Sequence, residues 1–382
     1  MARTTPFATE STTCLELPAR ARFRLLIWQR SQALPPPRAS GFSHLTSRKR
    51  AKSPSVLQTV SPCSIASAAR CASEARSGLD SSLRSRPAEA HNRQRQVVVS
   101  RRLVTLQRVE LQRRIAEGAG EFLLFALTPP RLTTEPEQAG QIAAKTLERL
   151  RPVGIDGLVL YDIDDESDRN PEERPFPFLP TMDPADYLAR YLVGLEVPAI
   201  VYRAVSKYPE QGLRSWLSEQ APTHALSVFV GASSREKTVA TSLLRAYELR
   251  TEVRPDLLLG GVAIPERHAR GRGEHVRLLA KQAAGCSFFV TQIVYDVNAA
   301  KDLVSDYHYE CAARDVKPAP IVFTFSVCGS VKTLEFVQWL GVDVPRWIEN
   351  ELRHAEDTLD ASYDQAVATA CVVVATCSPS VL

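Results

Sequence analysis

The sequence predicts an α/β fold, a (β/α)8 TIM barrel preceded by a long basic leader. Three observations point there. From about residue 120 onward, apolar runs of strand length alternate seven times with amphipathic helical segments. The runs are near-continuously apolar, as strands covered on both faces are. No Gly-x-Gly-x-x-Gly follows any of them, which counts against an open dinucleotide-binding sheet.

Taken in order, VVVSRRLVTLQRVELQRRIAEG (97–118) suggests a short amphipathic helix leading into the first strand, EFLLFALTPP (121–130). The next helix opens at Thr134-Glu135-Pro136, and a later one at Asp183-Pro184. Proline suits a first helical turn, and Asp183 is a good cap. The following strands are GLVLYDI (157–163), PAIVYRAV (198–205), ALSVFVGA (225–232), LLLGGVAIP (257–265), SFFVTQIVY (287–295) and APIVFTFSV (319–327). The eighth unit is the weak point. Helical text runs from Gly341 to Ala370 and the chain then ends in CVVVATCSPSVL. Either ACVVVATC (370–377) forms a poor eighth strand, or the closing strand is missing.

Residues 1–100 show no sustained period and are dominated by Ser, Arg, Ala and Pro. Such a stretch buries too little apolar surface to offset chain entropy, so it is expected to be disordered, with the barrel domain spanning 101–382. Three explanations of this segment stay open: an organellar transit peptide, a basic tail for anionic partners, or a start placed upstream of the true one. Localisation is accordingly expected to be cytoplasmic, or organellar if the leader is a transit peptide. The net charge of +4 hides this basic stretch, leaving the remainder net acidic. That argues against a nucleic-acid surface on the folded part. No apolar run approaches the roughly 20 residues of a membrane span. The eight cysteines form no CxxC, so no metal site and no disulfide scaffold is indicated.

In a barrel of this class, chemistry sits where strands end and βα loops begin. Those ends carry Thr128-Pro129-Pro130, Tyr161-Asp162 with Asp164, Asp165 and Glu166, Tyr202-Arg203, Gly231-Ala232, Pro265-Glu266-Arg267-His268, Thr291-Gln292 with Tyr295, and Ser326. Amide, hydroxyl and imidazole groups outnumber charges on the strands themselves, which suits a flat heteroaromatic ligand. A Thr-Gln pair closing the apolar run Ser287–Val290 needs partners, because buried amides are costly without them.

Several of these stretches resemble the methylenetetrahydrofolate reductase family. FALTPPR (125–131), GGVAIPERH (260–268), LLAKQAAGCSFFVTQIVYD (278–296) and VDVPRWIENEL (342–352) follow the family's order and spacing, and together cover about residues 120–375. The resemblance implies a barrel holding FAD at its C-terminal face. It implies NAD(P)H as hydride source and reduction of 5,10-methylenetetrahydrofolate to 5-methyltetrahydrofolate. It implies that Gln292 hydrogen-bonds the pterin, with Thr291 and Tyr295 beside it. It implies that His268 lies near the flavin and Lys281 near the cofactor's phosphates, with Gly231, Tyr202 and Arg203 also on the cofactor side. A homo-oligomer is among the expected assemblies. Two family positions depart: the first-strand glutamate, the general acid, is Ala126, and the fourth-strand Arg-Gly-Asp is Val230-Gly231-Ala232. Alanine cannot transfer a proton. The second-strand carboxylates, Asp162 first and then Glu166, are therefore the expected acids, with Arg203 and Lys207 placed to meet a phosphate or a folate glutamate tail. Two alternatives stand beside this reading: a non-reducing folate- or flavin-binding barrel serving one-carbon metabolism, and an inactive barrel that never closes.

Overall fold

The computed structural model describes the backbone of residues 25–28, and residues 107, 109–118, 122–219, 226–234 and 237–377. Seven parallel strands run from the barrel's first predicted unit to its last: β2 (Leu123–Leu127), β3 (Gly157–Leu160), β4 (Ala199–Ala204), β5 (Leu226–Val230), β6 (Leu258–Ala263), β7 (Cys286–Ile293) and β8 (Ile321–Ser326). Each pairs in parallel with the next in sequence. The eighth strand is β1, Leu25–Trp28, which pairs in parallel with β2 on one side and β8 on the other and closes the ring. The expected gap at the chain's end is therefore filled from its beginning. ACVVVATC is no strand; it forms the end of a helix, α11. Four residues of the segment expected to be disordered are thus strand, and the rest of residues 1–100 lie outside the described residues.

The helical layer comprises α1 (residues 109–117), α2 (Pro136–Leu150), α3 (Pro184–Tyr191), α4 (Glu210–Glu219), α5 (Leu243–Val253), α6 (Pro265–Gly271), α7 (Glu274–Ala283), α8 (Val297–Ala313), α9 (Val331–Trp339), α10 (Arg346–His354) and α11 (Thr358–Thr376). The predicted starts hold: Pro136 and Pro184 sit in first turns, and the Asp183 carboxylate accepts from the backbone N–H groups of Ala185 and Asp186. In α1, Leu111 and Ile115 are buried in the same cluster as Leu124, Val159, Tyr202, Val228, Phe288 and Val322. That cluster is the barrel interior. α1 plugs it from the N-terminal end, where Gly157 begins its strand against Leu111 and Leu124. A second and a third cluster lie between strands and helices, as a two-layer barrel requires.

One glycine is dictated by packing. A Cβ on Gly260 would stand 2.5 Å from the Phe288 ring and 2.9 Å from Val228. The large ring on β7 needs the bare backbone of β6 opposite it.

Candidate functional site

At the C-terminal rim lies a cavity of about 590 Å³, a size typical of ligand pockets. Its wall comes from the exit of β6 and from α6 (Ile264, Glu266, Arg267, Arg270, Gly271), from Asn170 and Ser233 on the β3 and β5 loops, and from Trp339 and Gly341 at the corner after α9. The loops are held together across this mouth. Asn170 Nδ2 donates to the Trp339 carbonyl at 3.3 Å, and Trp339 Nε1 donates to the Glu172 carbonyl at 2.8 Å. The hydroxyls of Ser233 and Ser234 donate to the Asp168 carboxylate, and their bonds hold that acid below the usual carboxylate range.

The most unusual group on this wall is Glu266. It follows Pro265 in the first turn of α6, so its side chain leaves the strand exit while the helix carries it inward. It is only 2% exposed, and its Oε2 has no hydrogen-bond partner. Burial raises its carboxyl to about 7; a backbone hydrogen bond and Arg270 oppose the shift, while Asp343 and Asp296 add to it. A buried carboxyl beside a cavity, near neutrality and with one oxygen unpartnered, can hold and release a proton. Sequence reasoning noted Glu266 at the strand end but gave it no role. Its identity was visible; its burial was not.

Gln292 is half-buried near the end of β7, and its Nε2 donates to the Leu340 carbonyl at 3.1 Å. Leu340 lies between two residues of the cavity wall, so the amide underpins the wall. Its neighbours are committed to the scaffold. Thr291 Oγ1 accepts from the Thr324 N–H at 2.9 Å, and Thr324 Oγ1 donates to the Thr291 carbonyl at 2.8 Å, spanning the register shift between β7 and β8. Tyr295 is buried with its hydroxyl against the Cys328 sulfur at 3.2 Å.

The second-strand acids also serve structure. Asp162 is buried and accepts from the Ala204 N–H, the Tyr208 hydroxyl and the Lys207 ammonium. Its oxygens are spent joining β3 to the exit of β4. Asp164 is paired with Lys237 at 2.8 Å, which ties the β3 loop to the β5 loop. Glu166 is half-buried on the same loop. Arg203 points into the helical layer, bonded to Asp183 and stacked over Trp216 and Tyr208, while Tyr202 points into the barrel, edge-on to Tyr161 at 4.8 Å. That alternation is the strand's own two-residue period. Lys281 donates to the Val262 carbonyl, and burial lowers its ammonium's pKa. His268 turns its Nε2 to Asp306 on α8 at 3.1 Å. Gly231, at the rim, packs against Leu243.

A family model described as methylenetetrahydrofolate reductase matches residues 200–381. A solved structure of an uncharacterised protein from Clostridium thermocellum, which binds two copies of 5-methyl-5,6,7,8-tetrahydrofolic acid, is 40% identical with a TM-score of 0.62; the match covers 70% of this chain and 87% of that one. The chain belongs to the methylenetetrahydrofolate reductase family. A 2,3-dimethylmalate lyase, 11% identical over 57% of this chain and 80% of its own with a TM-score of 0.36, is too distant to inform function. No curated protein matches the chain.

Against the family's pattern, Ala126 lies fully buried in the barrel interior and Ala232 half-buried at the rim. Neither offers a polar atom. Among the residues named from the resemblance for the cofactor, Lys281 and Arg203 have polar ends held by the scaffold, His268 has its Nε2 against Asp306, and Tyr202 is enclosed in the barrel. The groups on the cavity wall are engaged too: Arg267 pairs with the buried Glu274 and Arg270 with Asp343, Ser233 and Asn170 bond across the loops, and Trp339 is buried.

Proposed function

We propose that this protein reduces 5,10-methylenetetrahydrofolate to 5-methyltetrahydrofolate with NAD(P)H, as an FAD-containing member of its family. The observation that carries the reading is Glu266, a buried carboxyl on the cavity wall with one oxygen unpartnered, in a chain whose usual family acid is replaced by Ala126. The folate-binding relative from Clostridium thermocellum supports the ligand class. FAD, when bound, supplies the hydride relay. In this reading Arg270 exchanges its exposed ion pair with Asp343 for the folate's anionic tail, and Glu266 holds a proton. Given to a ring nitrogen of the folate, that proton lets the carbon–nitrogen bond open so that the methylene carbon can accept hydride. A carboxyl near neutrality suits such a transfer at physiological pH.

The test begins with the visible spectrum of the purified full chain. A flavin spectrum bleached by NADH or NADPH and restored by methylenetetrahydrofolate is the expected result. Glu266→Gln should slow the folate-dependent step by about 100-fold or more. It should leave NAD(P)H oxidation by an artificial acceptor near wild type. Equal loss in both steps would remove Glu266 from the role.

A second reading is favoured by one observation, that His268, Lys281 and Arg203 are tied into the scaffold: a non-reducing folate-binding barrel. It predicts a colourless protein that binds 5-methyltetrahydrofolate and ignores NAD(P)H.

A further inference from the structure

Behind the cavity wall, three helices bring together His268 of α6, His275 of α7 and Asp306 of α8. One nitrogen of each histidine and a carboxylate oxygen lie within 4.8 Å of one another. The two imidazoles meet edge-on with centroids 5.2 Å apart. His268 is 1% exposed, and its Nδ1 has no partner; the Nδ1 of His275 is likewise buried without one. A simple histidine–aspartate hydrogen bond accounts for His268 Nε2 and leaves the buried Nδ1 of His275 unexplained. Buried polar atoms without partners are rare, and an absent ion is one of the standard reasons for them.

We propose that His268, His275 and Asp306 bind a divalent transition metal of the zinc class. Two imidazoles and one carboxylate are ordinary zinc ligands, and a water would complete the tetrahedron. The Nε2–Oδ2 separation of 3.1 Å between His268 and Asp306 is close to the roughly 3.4 Å edge of a tetrahedron with zinc–ligand bonds of about 2.0–2.1 Å. His275 opens α7, and Asp306 has half its side chain in solvent, so an ion can enter from outside and draw the third ligand in. Cysteine spacing gave no hint of this site, because its ligands come from three helices and contain no sulfur.

None of the three ligands lines the cavity, whereas Glu266, Arg267 and Arg270 of the same helix α6 do. A bound ion would fasten this seven-residue helix to α7 and α8 and so stiffen the wall that faces the ligand. It is independent of whether the cavity holds a flavin.

The test uses the full chain, stripped with a chelator and titrated with cobalt(II), followed by zinc in equilibrium dialysis. One ion per chain is expected, with the strong visible bands of four-coordinate cobalt. The melting temperature should rise with zinc, since an ion bound to the native state stabilises it by mass action. His268 is buried and its replacement could prevent folding, so His275→Gln and Asp306→Asn decide the matter. Each should weaken binding by about tenfold or more, as even supporting residues of metal sites do. The exposed His354→Gln should change nothing. A chain that binds no cobalt above the dialysis control, or whose binding survives His275→Gln unchanged, overturns the proposal.

Discussion

Glu266 makes a claim at the scale of a single residue that can be checked without any ligand. Its carboxyl has an ordinary value of 4.5 and is raised to about 7 in the fold. The folded chain therefore holds a proton between those values that the unfolded chain has released. Stability must then fall as pH rises from about 4.5 through about 7, by at most about 3 kcal/mol from this group. Urea unfolding at pH 5.5 and pH 8 should show that slope in the wild type. Glu266→Gln carries no titrating group and should flatten it, being relatively more stable at the higher pH. An unchanged slope in the variant would mean that the carboxyl is solvated after all. The neighbouring acids behave differently for a plain reason: Asp162, Asp164 and Asp168 each have cations, hydroxyls or backbone N–H groups waiting for them. Within the acidic run read as a candidate for proton transfer, Asp162, Asp164 and Asp168 pin the rim loops together.

At the scale of elements, the strands do what their apolar text implies, and the informative features are the exceptions to regular pairing. The register shift between β7 and β8 is bridged by Thr291 and Thr324, which gives a threonine on each strand a structural reason. β6 carries Gly260 because Phe288 fills the space a side chain would need. Gly260→Ala should destabilise the barrel by about 1–3 kcal/mol through overpacking. Combining it with Phe288→Leu should recover part of that loss, which denaturant unfolding of the two single variants and the double variant would show. Additive losses would place the strain elsewhere. The text of α11 misled in the opposite direction. CVVV reads as strand by β-branched content, yet it continues a helix begun under the Asp357 cap, with Ala370 and Val373 buried. Tertiary burial of a face outweighs the small intrinsic penalty that valine pays in a helix.

Closure is a property of the whole molecule. Seven strands supplied by residues 123–326 leave the edges of β2 and β8 open, and β1 covers both. The pairing is through backbone, so a backbone lesion tests it. Ile27→Pro removes an N–H from the ladder and should lower the melting temperature and promote aggregation, as exposed strand edges do. Thermal melting with light scattering would measure both. A variant that melts and scatters like wild type would show that the ring does not depend on this strand. The same logic warns against trimming the chain to residue 102, which would discard the closing strand along with the leader.

Much of this protein was legible in its residues. Periodicity and continuous apolar runs determined seven strands, their helices and a parallel barrel, because burial on two faces leaves a mark on every residue of a strand. Short motifs such as GCSFFVTQ and VDVPRWIENEL determined the family. Proline and aspartate at helix starts were equally readable, since capping is a local matter. Only the tertiary structure decided which strand closes the ring, which carboxyl is stripped of solvent, and which histidines face one another. Those properties join residues that are remote in the chain, and solvent exclusion, which sets the proton affinity of Glu266, has no signature in any single stretch of sequence.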